Sequence, residues 1–150
     1  MNTQQLNGRL SQAQSRCKAR GARLTRQRRQ VLGVLLSSER PLGAYQILDA
    51  LSQEQPGIAP PTVYRALEFL QQHGLIHKLE SLHAYISCSH PDHTHPSQFL
   101  ICTVCGDVIE LEDPEIADSL DHAAAASGFE PIQDVVELKG HCAQCSGAES

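Results

Sequence analysis

The sequence predicts an α+β protein built as two unlike halves: a helical head that ends in a β-hairpin, then a smaller α/β segment stapled by metal. Three observations carry this prediction. Cys102-Thr-Val-Cys105 and Cys142-Ala-Gln-Cys145 enclose thirty-six residues, so two tight knuckles can close a tetrahedral cage of four sulfurs around one ion. Residues 1–80 carry eleven Lys/Arg against five Asp/Glu, whereas residues 81–150 carry one Lys against twelve Asp/Glu. Apolar residues recur at helical spacing from Leu24 to Leu70 and in short strand-like runs thereafter.

Each element follows from local signals. Residues 3–20 read as a polar helix broken at Gly21. Thr25 is placed to cap a second helix, whose Leu24, Val31, Leu32, Leu35 and Leu36 form one apolar face before Pro41. Ala44, Ile47, Leu48 and Leu51 give the i, i+3, i+4, i+7 pattern of a short helix closed by Pro56-Gly57. Pro60-Pro61-Thr62 then opens a helix with Val63, Ala66, Leu67 and Leu70 on one side and Gly74 at its end. Its other side presents Tyr64, Arg65, Glu68, Gln71 and Gln72, with the aromatic and the guanidinium near the N-terminus, where recognition helices carry base-reading groups. Leu75–Leu79 and Ala84–Cys88 read as a hairpin, giving the element order of a winged helix-turn-helix. In the acidic half, Gln98–Ile101, Val108–Leu111 and Pro131–Leu138 read as strands, with a helix from about Pro114 to Ser127 ending at Gly128.

The charge division bears on partners. In residues 1–45, Arg9, Arg16, Lys18, Arg20, Arg23, Arg26, Arg28, Arg29 and Arg40 are opposed only by Glu39. This is the footprint of a phosphate-backbone binder, hidden by the whole-chain net charge of −5, although a solvated basic face would look the same by charge alone. The acidic half is near the size at which a core alone is marginal, and metal binding contributes of order 10 kcal/mol to folding in such segments. Four thiolates select soft tetrahedral ions, with zinc favoured. A disulfide framework would need an oxidising compartment, and residues 1–10 have no apolar signal core; a thioredoxin-like redox pair would be expected at a strand-to-helix turn rather than five residues from the end. No stretch approaches the roughly 20 apolar residues of a membrane span, so a cytoplasmic protein without a membrane partner is expected.

Four motifs in order, Arg23-Leu-Thr-Arg-Gln-Arg-Arg29, the helix Pro61–Leu70, the strand containing His77 and the paired Cys-x-x-Cys knuckles, resemble the ferric uptake regulator family, most closely its zinc uptake regulator branch. The resemblance runs through nearly the whole chain. It implies a winged-helix DNA-binding domain over residues 1–88, a His-rich linker over 89–96 and an α/β dimerisation domain over 97–150. It implies a homodimeric, metal-activated repressor that binds double-stranded operator DNA. A zinc hydrolase would need an open, water-bearing metal position, and the four protein ligands expected at each site leave none, so neither an enzyme nor a small-molecule substrate is expected. Cys102, Cys105, Cys142 and Cys145 match the family's structural zinc site, and His77, Cys88, His95 and Glu110 match its sensing site, giving two zinc ions per protomer. The thiolate of Cys88 favours zinc over iron or manganese, since iron- and peroxide-sensing relatives use histidines and carboxylates there. Its bland alternative is an inert strand cysteine.

Tyr64, Arg65, Arg23, Arg28, Arg29 and, by resemblance, Tyr45 are the expected DNA contacts. His90, Asp92 and His93 form a candidate weak additional metal site in the His-rich loop. A further site of some relatives is not expected, because Ala117 and Val135 stand where its Glu and distant His would align. His141 reads as a neighbour of the cage, His73, His83 and His122 as surface or supporting residues, and Cys17 as a helix-face thiol. An iron- or peroxide-sensing regulator would keep the DNA head and change the ion; a zinc-buffering protein would leave the basic segment unused.

Overall fold

Capping residues, prolines and glycines cut the first 91 residues into four helices and a hairpin. In the computed structural model, which describes residues 2–92 and 95–147, residues 1–91 and 92–150 form two separate units. Helix α1 (Thr3–Ala19) begins with a reciprocal capping box between Asn2 and Gln5 and ends before Gly21, whose φ of +73° a side chain would disfavour. Helix α2 (Arg26–Leu36) is capped by Thr25, whose Oγ1 accepts from the Arg28 amide at 3.4 Å. Helix α3 (Ala44–Ser52) is held at its start by the Gln46 side chain, which accepts from the Gly43 amide. Helix α4 (Pro60–Gln72) starts on prolines that need donate no helical hydrogen bond.

The end of α4 is a Schellman motif. Gly74 lies at φ +68°, its amide bonds to the Gln71 carbonyl, and the Leu75 amide bonds back to the Leu70 carbonyl at 2.9 Å. The chain then turns directly into strand β1 (Ile76–Leu79), paired antiparallel with β2 (Ala84–Ser87). Leu42 exchanges both backbone bonds with Tyr85, which adds a one-residue third strand between α2 and α3. No sequence periodicity marks a bridge of one residue.

The core of this unit is assembled from α2, α3 and α4, with Val31, Leu32, Leu35, Ile47, Val63, Leu67 and Leu70 at its centre. Helix α1, polar by composition, also contributes. Its Leu10, Ala13 and Cys17 are buried against the same cluster, with Leu6 partly so, one stripe at spacings of four, three and four. Cys17 is thus a core residue, only 1% exposed. Burial pushes its thiol pKa up despite Arg20 and Arg28, as expected of an inert packed cysteine.

The second unit is a three-stranded sheet of order β4-β3-β5, with two short helices. Strand β3 (Ser97–Cys102) pairs antiparallel with β4 (Val108–Leu111); helix α5 (Pro114–Ala126) then carries the chain over to β5 (Val135–Gly140), which runs parallel to β3. The final strand was expected at Pro131–Leu138 and lies instead at Val135–Gly140. Its limits are set by the partner, since Ser97–Cys102 pairs residue for residue with Val135–Gly140. Helix α6 (Ala143–Ser146) is a single turn after Cys142. Gln98, buried in the middle of the sheet, donates to the Asp113 carbonyl and accepts from its amide, both at 3.0 Å, which clamps the start of α5 to β3.

This unit buries little. Among the described residues its buried positions are Gln98, Phe99, Ile101 and Cys102, and α5 has none. Ile109, Leu120, Phe129, Ile132, Val135 and Leu138 are exposed, Ile132 completely.

Candidate metal centres and nucleic-acid interface

The four knuckle cysteines converge because β3 and β5 are parallel neighbours. Cys102 ends β3 opposite Gly140, and the turn Thr103–Gly106 and the step from Gly140 to Cys142 leave the sheet at the same end. The sulfurs of Cys102, Cys105, Cys142 and Cys145 all lie within 4.8 Å of one another, and none is in a disulfide. Cys105 Sγ and Cys142 Sγ are 3.7 Å apart. A tetrahedral zinc with Zn–S bonds of about 2.3 Å requires S···S edges of about 3.8 Å. The geometry fits zinc.

Electrostatics points the same way. The amides of Cys105 and Cys142 donate to Cys102 Sγ at 3.5 and 3.4 Å, and these backbone bonds hold the Cys102 pKa down at about 5. Cys145 is pushed up to about 12, first by its hydrogen bond with Cys142 and then by desolvation and the other thiols. Four clustered sulfurs without a cation cannot all carry charge. A divalent ion removes that conflict, which is why thiolate cages are built around one.

A second group of ligand types is divided between the units. In the first, His77 on β1 and Cys88 just beyond β2 share one face of the hairpin, since His77 stands opposite Ile86, two residues before Cys88. Their ligand atoms lie within 4.8 Å of each other, and Cys88 is 1% exposed. In the second unit, His95 Nε2 lies 3.5 Å from Glu110 Oε1, both side chains nearly buried at 3% and 5% exposure. The other ring nitrogen, Nδ1, donates to the Pro96 carbonyl at 2.9 Å, which orients the ring so that Nε2 is the nitrogen facing Glu110. Each unit therefore offers a preformed pair of zinc-compatible donors. His90 and Asp92 are exposed, and His93 lies outside the described residues.

The expected DNA contacts separate into two kinds. Tyr45 on α3 is 74% exposed and Tyr64 on α4 is 49% exposed; both line a shallow apolar cleft with Ala44, Leu48, Pro60 and Val63, and Arg65 is exposed beside it. Arg23 is also exposed. Arg28 and Arg29 do structural work as well. The Arg28 guanidinium stacks 3.7 Å above the Phe69 ring and donates to the Arg23 carbonyl at 2.7 Å, while Arg29 donates to Gln14 of α1 at 2.9 Å. Sequence reading missed these roles, and also the Gln98 clamp, for which the one available signal was a glutamine inside an otherwise apolar strand.

Comparison with known proteins agrees with this geometry. The sequence profile of the ferric uptake regulator family matches residues 19–139. The zinc uptake regulation protein of Escherichia coli (strain K12) is 40% identical over 142 residues, covering 94% of this chain and 83% of that protein. A solved zinc uptake regulator complexed with zinc and DNA is 39% identical and matches with a TM-score of 0.92 over 99% of both chains; the holo form of XcZur is 41% identical, with a TM-score of 0.86 over 94% of this chain and 99% of the other. A profile spanning most of the sequence, together with relatives at this identity over nearly its full length, shows that the chain belongs to the ferric uptake regulator family, in its zinc uptake regulator branch.

Proposed function

We propose that this protein is a zinc-responsive DNA-binding repressor of zinc uptake genes, with one structural and one regulatory zinc per protomer. The four-cysteine cage holds the structural ion in residues 97–150. The regulatory ion is held by His77 and Cys88 from the winged-helix domain, residues 1–88, and by His95 and Glu110 from beyond the linker, residues 89–96. The observation that carries this reading is the pairing of Cys88 with His77 on one hairpin face, opposite in chemistry to the oxygen-rich sites suited to harder ions. Two donors from each side leave each pair short of the four that zinc takes, and completing the set would join the domains.

One of the solved relatives named above is complexed with zinc and DNA. In this chain the reading head would be α4, with Tyr64 and Arg65 at the major groove, Tyr45 beside them, and Arg23, Arg28 and Arg29 near phosphates. A second copy is the natural cover for Ile109, Leu120, Phe129, Ile132, Val135 and Leu138, and β4 and β5 are edge strands that a two-fold partner can protect. Dimerisation would present two reading heads at half-site spacing. Zinc favours DNA binding only through tighter binding to the DNA-competent arrangement, a coupling of about 1–3 kcal/mol in typical cases. Nothing in this scheme calls for a catalytic step, and a cytoplasmic regulator is the setting it implies. The exposed His90 and Asp92, with His93, are the fallback position for a sensor.

Zinc stoichiometry measured together with zinc-dependent operator affinity tests the proposal. Cys88→Ser and His77→Ala should fall from two zinc ions per protomer to one and lose the gain in DNA affinity while remaining folded. If both variants still switch on DNA binding with zinc, the sensor lies elsewhere.

A further inference from the structure

The carbonyl of Cys88 is held by a residue of the first helix, α1. Cys88 follows the last residue of β2, and its amide continues the ladder by donating to the Leu75 carbonyl at 3.0 Å. A regular antiparallel pair would return a bond from the Leu75 amide to the Cys88 carbonyl. That amide is committed to the Schellman cap of α4, where it bonds to Leu70. The Cys88 carbonyl instead accepts from Arg9 Nη2 at 3.2 Å, 79 residues away in sequence. Arg9 is half-buried on α1, next to Leu10, whose burial with Ala13 and Cys17 docks that helix on the core.

We propose that Arg9 is a positioning residue for zinc sensing: by fixing the Cys88 carbonyl it sets where the Cys88 sulfur stands relative to His77, and it makes α1 part of the switch. This rests on the reading of Cys88 as a regulatory zinc ligand. The physical need is narrow. Zinc sites tolerate ligand displacements of about 0.2 Å, and Cys88 stands where the ladder has given out on one side. A charge-assisted hydrogen bond is among the stronger ways to fix such a carbonyl. By reciprocity, metal at the regulatory site must tighten the Arg9 contact as much as the contact tightens metal.

The test uses full-length protein with zinc in the four-cysteine cage and cobalt(II) added as the probe of the second site. Cobalt should give a thiolate charge-transfer band that Cys88→Ser abolishes. Arg9→Met, which keeps an apolar stem and removes the donor, should weaken cobalt binding about tenfold and alter the band's intensity. It should also raise the zinc concentration at half-maximal operator binding by a similar factor while the plateau affinity at saturating zinc stays at the wild-type value, a split that a folding defect would not produce. Arg9→Met with wild-type cobalt affinity and spectrum overturns the proposal while leaving the sensing site intact. Cobalt binding and a charge-transfer band that survive Cys88→Ser overturn the sensing site itself. Should Arg9→Met not fold, hydrogen exchange in the unaltered protein decides. Amides around Arg9 to Ala13 should exchange more slowly when cobalt fills the second site, and exchange that does not change sinks the idea.

Discussion

The two units solve the problem of stability differently. Residues 1–91 bury a continuous cluster fed by four helices and the hairpin, whereas the second unit buries three apolar side chains and one glutamine among its described residues and leaves seven large apolar ones in solvent. The first can stand on packing. The second has little packing of its own, and the reading proposed above supplies what it lacks with an ion at one end of its sheet and a second copy over its apolar surface. A regulator gains from this division, because the reading head stays folded while the other half responds to metal and assembly.

Removing the cage metal is the largest perturbation of this contrast. Cys142→Ser, or a strong chelator, should unfold the second unit and dissociate dimers, since structural zinc contributes of order 10 kcal/mol to such domains. Helical circular dichroism from the first unit should persist. Loss of structure throughout the chain on chelation would show that the first unit does not stand alone.

The converse experiment is Leu70→Ala. Leu70 is fully buried in the first unit, so the substitution should cost about 2–5 kcal/mol there, read as a lower melting transition, with the cage zinc still bound. Ile132→Ala, at a completely exposed site, should leave the stability of the monomer unchanged and weaken the dimer, as sedimentation would show. An equal melting loss in both variants would erase the difference between the units.

Arginines sharpen the comparison within the first unit. Arg65→Ala should weaken operator binding by about 1–3 kcal/mol and relax base preference, without change in melting, because its side chain is exposed beside the cleft. Arg28→Ala should reduce DNA affinity for all sequences and should also destabilise the fold by about 1 kcal/mol through loss of the stack on Phe69. Operator titrations beside thermal melts separate the two. Arg65→Ala with unchanged base preference would remove α4 from the reading role.

The smallest effect is in protons. With a pKa of about 5, Cys102 is already a thiolate at neutral pH, whereas Cys145 at about 12 is a thiol that must give up its proton to bind zinc. Zinc uptake by the unaltered cage at pH 7 should therefore release fewer than four protons. Release of four would mean the knuckle amides do not hold Cys102 ionised.

Much of this protein was legible before any coordinates. Short-range signals fixed the helices: Thr25 as a cap, prolines opening α4 and Gly74 closing it each act within a few residues, so their sequence pattern and their structure coincide. The cysteine knuckles and the four motifs of the resemblance were equally local. What sequence could not supply was whatever depends on residues far apart. The burial of Cys17 followed from a sparse stripe on a polar helix. The limits of β5 followed from parallel pairing with β3, and the one-residue bridge of Leu42 to Tyr85 has no periodicity to detect. Arg28 and Arg29 looked like phosphate contacts because charge is visible in sequence, while a ring beneath a guanidinium is not. The bond from Arg9 to Cys88 arose because a helix cap took the amide that the ladder would have used, a competition between two elements that exists only once both are folded side by side.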